Sequence, residues 1–558
     1  MQKPIIAIGL DAAEPKILEK WMFQGHLPNL NNIRQQGTYG RLDNYVEYAG
    51  SLTETSSTER LWVMSLTGCL PHKTGYWGPV RLESGTYNVT HDTVNGAYDY
   101  QEYPQFYALG KERKVCIFDV PVSALSEQVN GLQTLGWGGH APHTPSHSQP
   151  PELLPEIVAK YGENPVLHKD YGYWWDPKYF QRIRQALKTS TQNRAAIAQD
   201  LLKREDWDLF LTVFGDTHSS GHDFWHLSQP DHPLYPYLQQ EGAEDPMLTA
   251  FKDVDRAVGE IFTAAPEDAY KVLFAVHGMG SNVTDVFSMV MLGEFLYRFS
   301  FPGKSLLKIG KPGTVPGTPI TEPRKPTWTG EMWQYFADPN PIKWFLRRWA
   351  PDRLHNKLDQ IFHFPKLNGV SQPGRFGTLH WQPALWYQPY WSKMKAFALP
   401  AFAVGHVRVN LQGREPGGIV AVSEYEAVCD ELTAKLYRLT DARTGEPLVR
   451  EVVRTRKDPL DSNPKLPDPD LVVLWAETPT DTVDSPDYGR IGPVTYYRSG
   501  GHRPQGFLMA QGEGITPGSS FSGGHAVDIG PTILQLMGLP TPEYSDGQAM
   551  FKMANLVK

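Results

Sequence analysis

The chain has 558 residues, with 53 Lys and Arg against 61 Asp and Glu and a net charge of −8 near neutral pH. That length can bury a large core and fits one big α/β domain with a substantial insertion better than a string of small modules; the acidic balance excludes a nucleic-acid scaffold, which needs a basic face. Cys69, Cys116 and Cys429 are the only cysteines and lie far apart, which excludes a disulfide framework and a cysteine zinc site.

The chain begins MQKPIIAIGLDAAEP, and its first apolar run, Ile5 to Leu10, has strand length and ends at Asp11. No basic stretch followed by a long apolar core precedes it, as a signal peptide would require, and no apolar run reaches the roughly 18 residues of a membrane span. The expectation is a cytoplasmic protein without a membrane association. Next comes TETSSTERLWVMSLTGCLPHKTG, Thr53 to Gly75, in which hydroxyls precede an apolar helix. An aliphatic hydroxyl attacks poorly at neutral pH unless a base or metal takes its proton. Thr58 therefore needs partners, and acids and histidines placed after other strands offer them.

Further runs at Val115 to Phe118, Leu209 to Phe214 and Lys271 to Val276 read as buried strands, with helical periodicity at Phe180 to Arg204 and Thr249 to Ala264 between them. Alternating strands and helices predict a mostly parallel sheet covered on both faces, with ligands beyond the carboxyl ends of its strands. Asp11, Asp216 of GDTHSSGHDFWH and His277 of VLFAVHGMG all follow such strands and fit one shared site. His222 lies in the same segment as Asp216, with His218 and His226 as competitors. The histidines of GGHAPHTPSHSQP, His140, His143 and His147, read as solvated loop residues among prolines.

From about residue 301 to 400 the pattern changes to Pro, Gly, Lys and Trp. Seven of the sixteen tryptophans fall here (Trp328, Trp333, Trp344, Trp349, Trp381, Trp386 and Trp391), which reads as the core of an inserted cap rather than a stacking surface. Sheet and helix patterns return from Phe402, and SGGHRPQG brings His502. The expected organisation is a core in two parts, 1–300 and 401–558, around a Trp/Pro-rich insertion at 301–400.

Taken in order, GLDAAEP, LPNLNNIRQQGTYGRL, Thr58 nine residues before Thr67-Gly68, HGMG, VRVNLQGREPGGIV, GGHRPQG and DIGPTILQLMGLP resemble the type I phosphodiesterase and nucleotide pyrophosphatase family of the alkaline phosphatase superfamily. The resemblance implies a three-layer α/β/α alkaline phosphatase-like core and two adjacent divalent metals, commonly zinc. It also implies a Thr or Ser that attacks phosphorus to form a covalent intermediate. Carried onto this sequence, Asp11, Thr58 and His277 belong to one metal, and Asp216, His222 and His502 to the other. His218 stands four residues before His222, at the family's usual spacing, and competes with Asp216, which is favoured as a carboxylate that offsets cationic charge.

One departure is more serious. The family's aspartate directly before the HGMG histidine is Val276 here, which cannot ligate, so the nucleophile-side ion is weakened unless Glu59, Asn282 or water substitutes, and one ion becomes the alternative to two. CLPHK imitates a sulfatase signature, yet Lys73 stands where that signature needs Arg. Arg60 is weighed equally as a contact for an anionic substrate and as a structural charge. The resulting expectation is a metal-dependent hydrolase of small phosphate esters acting through phosphorylated Thr58, against two alternatives: a group transferase using the same intermediate, and a catalytically impaired binding protein. Substrate, metal identity and oligomeric state are not legible.

Overall fold

The computed structural model describes residues 3–91, 97–138, 145–167, 169–170, 172–239, 242–307, 315, 317–337, 340–351, 354 and 382–552. Its main sheet has nine strands: β1 (Ile5–Leu10), β2 (Thr38–Leu42), β3 (Gly110–Phe118), β4 (Val129–Leu135), β5 (His147–Gln149), β6 (Leu209–Phe214), β7 (Tyr270–Ala275) and, beyond several strands of smaller sheets, two more near the carboxyl terminus. The smaller elements that matter are β8 (Gly278–Ser281), β9 (Ala396–Leu399), β10 (Val404–Val409), β11 (Val449–Arg454), β12 (Leu471–Trp475) and β13 (Gly500–Arg503). β14 (Gly506–Gln511) and β15 (Ser519–Ser520) complete the main sheet, whose order is β15-β2-β14-β7-β1-β6-β3-β4-β5.

Five neighbours, β7, β1, β6, β3 and β4, run parallel, so their carboxyl ends meet on one edge, while β14 and β5 pair antiparallel at either side. Helices α1 (Pro15–Phe23), α2 (Thr58–Thr67), α3 (Pro177–Leu202), α4 (Asp216–Ser228) and α5 (Pro246–Ala264) cover the faces of the sheet together with a helix near the carboxyl terminus; α6 (Leu292–Ser300) and α7 (Pro341–Trp349) lie away from this sheet, and the terminal helix is α8 (Ile529–Leu536). This is the three-layer α/β/α arrangement expected of an alternating pattern. β1 is apolar throughout because both of its faces are buried. Ile6, Ile8 and Leu10 pack with Leu18 of α1, Ile183 of α3 and Val258 of α5, whereas Ile5 and Ala7 pack with Leu61 of α2 and Ile533 of α8.

A second core lies under the antiparallel sheet β9-β10-β12-β11. Trp328, Trp333, Trp386 and Trp391 of the Trp-rich segment are buried there, with Trp333 edge-on to Trp386 and Trp391 stacked on Phe397 of β9. Glu294 of α6 is buried beneath them, where Arg298, Tyr387 and the backbone N–H groups of Leu306 and Leu307 hydrogen-bond its carboxylate. Packing, not an open stacking surface, therefore accounts for these four tryptophans. Trp349 is exposed, and Trp381 lies outside the described residues.

His226, on α4, sits among the rings of Trp174, Phe180 and His232, and burial pushes its imidazole down to about 3. An unfolded histidine takes its proton near pH 6.5, so between these values the unfolded chain binds more protons and stability falls as the pH falls. Urea unfolding should show wild type losing about 1.4 kcal/mol more per pH unit below roughly pH 5.5 than His226→Phe; parallel acid profiles would contradict a neutral buried His226.

Candidate metal centre

The edge where the parallel strands end carries the site. Asp11 directly follows β1, and its backbone N–H donates to the carbonyl of Phe214 at the end of β6 (3.0 Å). Thr217, one residue into α4, donates its hydroxyl to the carbonyl of Asp11 (2.6 Å), which ties that helix to the same strand end. His277 follows β7 by two residues, and His502 lies on β13, whose pairing with β8 places it opposite Met279. Gly500 allows β13 to approach α4 this closely, since a Cβ there would stand 2.3 Å from the carbonyl oxygen of Gly221.

On α4, His218 and His222 are four residues apart and therefore share one helix face. His222 Nδ1 donates to the carbonyl of Gly500 (2.7 Å), and His218 Nδ1 lies 2.7 Å from Asp11 Oδ2. A carbonyl and a carboxylate only accept, so both Nδ1 atoms carry a proton, and in the neutral form of each ring Nε2 presents a lone pair. These Nε2 atoms are 2.7 Å apart, and His502 Nε2 lies 3.0 Å from that of His218 and 3.1 Å from that of His222. Burial first, and then the neighbouring imidazoles His277, His218 and His222, push the pKa of His502 well below the usual histidine value, so it too is neutral.

Neutral imidazoles with lone pairs aimed at one point are the donor set of a metal such as zinc. Their outer nitrogens are held by a carboxylate and a carbonyl, the usual way of orienting ligating histidines. A second close group is Asp11, His218 and His277. In it Asp11 Oδ2 already faces the protonated Nδ1 of His218, and Oδ1 accepts from Trp62 Nε1 (3.0 Å).

Thr58 opens α2 and is buried beside this cluster. Its Oγ1 lies 2.9 Å from His277 Nε2 and 3.1 Å from His502 Nδ1. His277 Nδ1 donates to the carbonyl of Gly278 (3.0 Å), which leaves its Nε2 as the acceptor that faces the hydroxyl. One turn further along α2, Trp62 reaches Asp11, so the helix face that carries Thr58 is registered to the strand end. Gly68 closes the helix in the left-handed region at φ 69°, where a side chain would be strained and its Cβ would meet Ser545 Oγ at 2.5 Å.

The structure thus brings Asp11, Thr58, His222, His277 and His502 together, and His218 with them. Two other residues expected at the site lie elsewhere. Asp216 precedes His218 by two positions and His222 by six, so its side chain leaves α4 on another face. Its carboxylate is buried on the α3 side, 3.9 Å from Arg194 Nε and beside Ser190 and Thr191, while Arg194 also pairs with Asp119 at 2.5 Å. Arg60 is buried under Trp77. Its guanidinium donates to the Trp77 carbonyl, to Thr55 Oγ1 (3.0 Å) and to Tyr48 Oη (3.2 Å), which pins the loop before α2 instead of facing a ligand.

Val276 is buried against the apolar face of the sheet. Of the substitutes considered for its missing carboxylate, Asn282 is hydrogen-bonded to Asp285 (2.9 Å) and Glu59 lies beside Ser57 (3.4 Å). His140 and His143 lie outside the described residues.

An α/β/α core with imidazole ligands and a hydroxyl gathered at the carboxyl ends of its parallel strands defines a metal-assisted hydrolase. The model of the type I phosphodiesterase / nucleotide pyrophosphatase family matches residues 5–299, and the chain belongs to this family of metal-dependent phosphoric ester hydrolases. Among solved structures, it is similar to phosphonoacetate hydrolase from Sinorhizobium meliloti in complex with phosphonoformate, at 12% identity over 96% of this chain and 95% of that one, with a TM-score of 0.46. An inactive variant of murine ectonucleotide pyrophosphatase / phosphodiesterase 5 in complex with AMP gives 10% identity over 97% and 96% of the two chains, with a TM-score of 0.42. Wild-type alkaline phosphatase PafA gives 12% identity over 100% and 99%, with a TM-score of 0.45. Comparison with curated protein sequences found no match.

The position of Asp216 has a direct consequence. Asp216→Asn should leave the metal content of the purified protein at the wild-type level, whereas His218→Ala should lower it by at least about tenfold at equal metal activity; loss of metal in the asparagine variant would return Asp216 to the ligand set.

Proposed function

We propose that this protein hydrolyses small phosphate esters through a phosphorylated Thr58 at a centre built for one divalent ion, zinc by its donor set. The observation that carries the proposal is the convergence of three Nε2 lone pairs within 3.1 Å, beside a hydroxyl that His277 Nε2 contacts at 2.9 Å. His218, His222 and His502 would hold the ion, which when bound supplies positive charge next to the phosphoryl group and to the water that finishes the cycle. His277 Nε2 takes the proton as Thr58 Oγ1 attacks phosphorus, and the alkoxide or phenoxide leaves on the opposite side. The backbone N–H groups of the first turn of α2 have no acceptor within the helix and favour the phosphoryl oxygens there. Asp11 orients His218 and steadies Trp62 rather than serving as the ligand the resemblance implies.

The preference for one ion over two rests on Val276 and Asp11. A valine at the carboxylate position removes a ligand outright, and an ion at the second group would have to displace the proton between Asp11 and His218.

With an aryl phosphate ester as substrate, Thr58→Ala should lower kcat by at least about a thousandfold while metal content holds, and acid-quenched wild type should carry a phosphate on Thr58 by peptide mass spectrometry. Turnover that survives the alanine substitution would remove the nucleophile from this scheme. Elemental analysis should give one metal per chain, and Val276→Asp should raise this toward two by restoring a carboxylate beside His277; two ions in wild type would contradict the single-ion centre.

A further inference from the structure

The helix α7, PIKWFLRRW, turns an apolar face outward. Asn340 caps it by accepting from the backbone N–H groups of Ile342 (3.0 Å) and Lys343 (3.2 Å). Ile342, Phe345 and Trp349 follow at intervals of three and four, which places them on one side, and they are 64%, 57% and 62% exposed. Leu354, just beyond, is 41% exposed. The opposite side is held to the protein: Lys343 is buried, and Lys325 Nζ donates to the carbonyl of Ala350 (2.6 Å) at the helix end. Arg348 lies between the two surfaces, its guanidinium 5.6 Å from the Trp344 ring and 5.8 Å from that of Trp349.

Charge gives this face a partner. Among the described residues from 301 to 354, Lys304, Arg324, Lys325, Lys343, Arg347 and Arg348 stand against Glu322 and Glu331, a net of +4 in a chain whose total is −8. We propose that α7 is a docking surface for an anionic lipid bilayer, lying in the plane of the interface with Ile342, Phe345 and Trp349 in the boundary between headgroups and acyl chains. Such helices combine an aromatic and aliphatic face with flanking cations, and anionic headgroups attract each nearby Lys or Arg. A second copy of this chain is the poorer occupant, because an isologous contact would set two basic segments against each other. The association is peripheral, since among the described residues no helix is long and apolar enough to cross a membrane.

The test is sedimentation of the full chain with vesicles of mixed phosphatidylcholine and phosphatidylglycerol, and with phosphatidylcholine vesicles alone. Binding to the mixed vesicles should weaken steeply as salt is raised, and should be at least about tenfold weaker on phosphatidylcholine. The Phe345→Ser/Trp349→Ser double variant, which removes apolar surface without adding charge, should bind the mixed vesicles at least about tenfold less well while melting at the wild-type temperature. No binding to mixed vesicles at low salt, or undiminished binding by the double variant, overturns the proposal. So does a concentration-dependent dimer that the double variant abolishes, which would assign the face to self-association.

Discussion

Three nitrogen lone pairs directed at one point are unfavourable by themselves, and the surrounding structure is arranged so that they cannot turn aside. His222 is fixed through its other nitrogen to a carbonyl of β13, and His218 to the carboxylate at the end of β1. Rotation of either ring would expose a buried N–H without an acceptor, at a cost of about 1–3 kcal/mol. A cation among the three relieves the repulsion directly. The close approach of β13 to α4, which Gly500 permits, is part of the same arrangement, because it brings His502 and the carbonyl that holds His222 in a single segment.

The site's charge follows from those contacts. Asp11 is the carboxylate that touches these imidazoles, while Asp216 is turned away to Arg194 and Val276 contributes none. In the proposed centre, one divalent cation beside one carboxylate and neutral rings would leave a net positive charge, facing the first turn of a helix whose dipole has the same sign. That combination favours a phosphoryl group, whose added oxygens supply the anions that the protein does not. A second cation close by would raise the repulsion without a carboxylate at position 276 to offset it. The proposed single ion and the proposed phosphate-ester substrate thus rest on one electrostatic argument.

Much of this could be read from the chain because buried parallel strands are apolar on both faces and end abruptly. Ile5 to Leu10, Leu209 to Phe214 and the run ending at Val276 marked the sheet, and the polar residues after them marked its active edge. The assignment on α4 depended on helical phase. His218 and His222 share a face by their spacing of four, whereas Asp216, at six, does not; the preference for a carboxylate overrode that phase. Arg60 could not be placed from sequence, since its partners Tyr48, Thr55 and Trp77 meet it only once the hairpin before α2 and the segment after it fold around that helix. The tryptophans were legible as a group but not singly. Whether each faces inward depends on β9, β10 and β12, which follow in sequence and supply the surface they cover.

The same limit explains why α7 stands apart from the rest of its segment. Trp328, Trp333, Trp386 and Trp391 found that second sheet, and their burial packs them into its core. Trp349 has as large an apolar surface and a cation above it, yet its helix is anchored by the other side, through Lys343 and through Lys325 on the terminal carbonyl. Burying a lysine stem while Ile342 and Phe345 stay in water reverses the usual preference of an amphipathic helix on a folded core. Exchanging the two faces would return apolar surface to the interior at roughly 25 cal/mol per Å². The sequence forgoes that gain where its positive charge is concentrated, so the exposed face follows from the helix's attachment rather than from a lack of apolar surface to pack against.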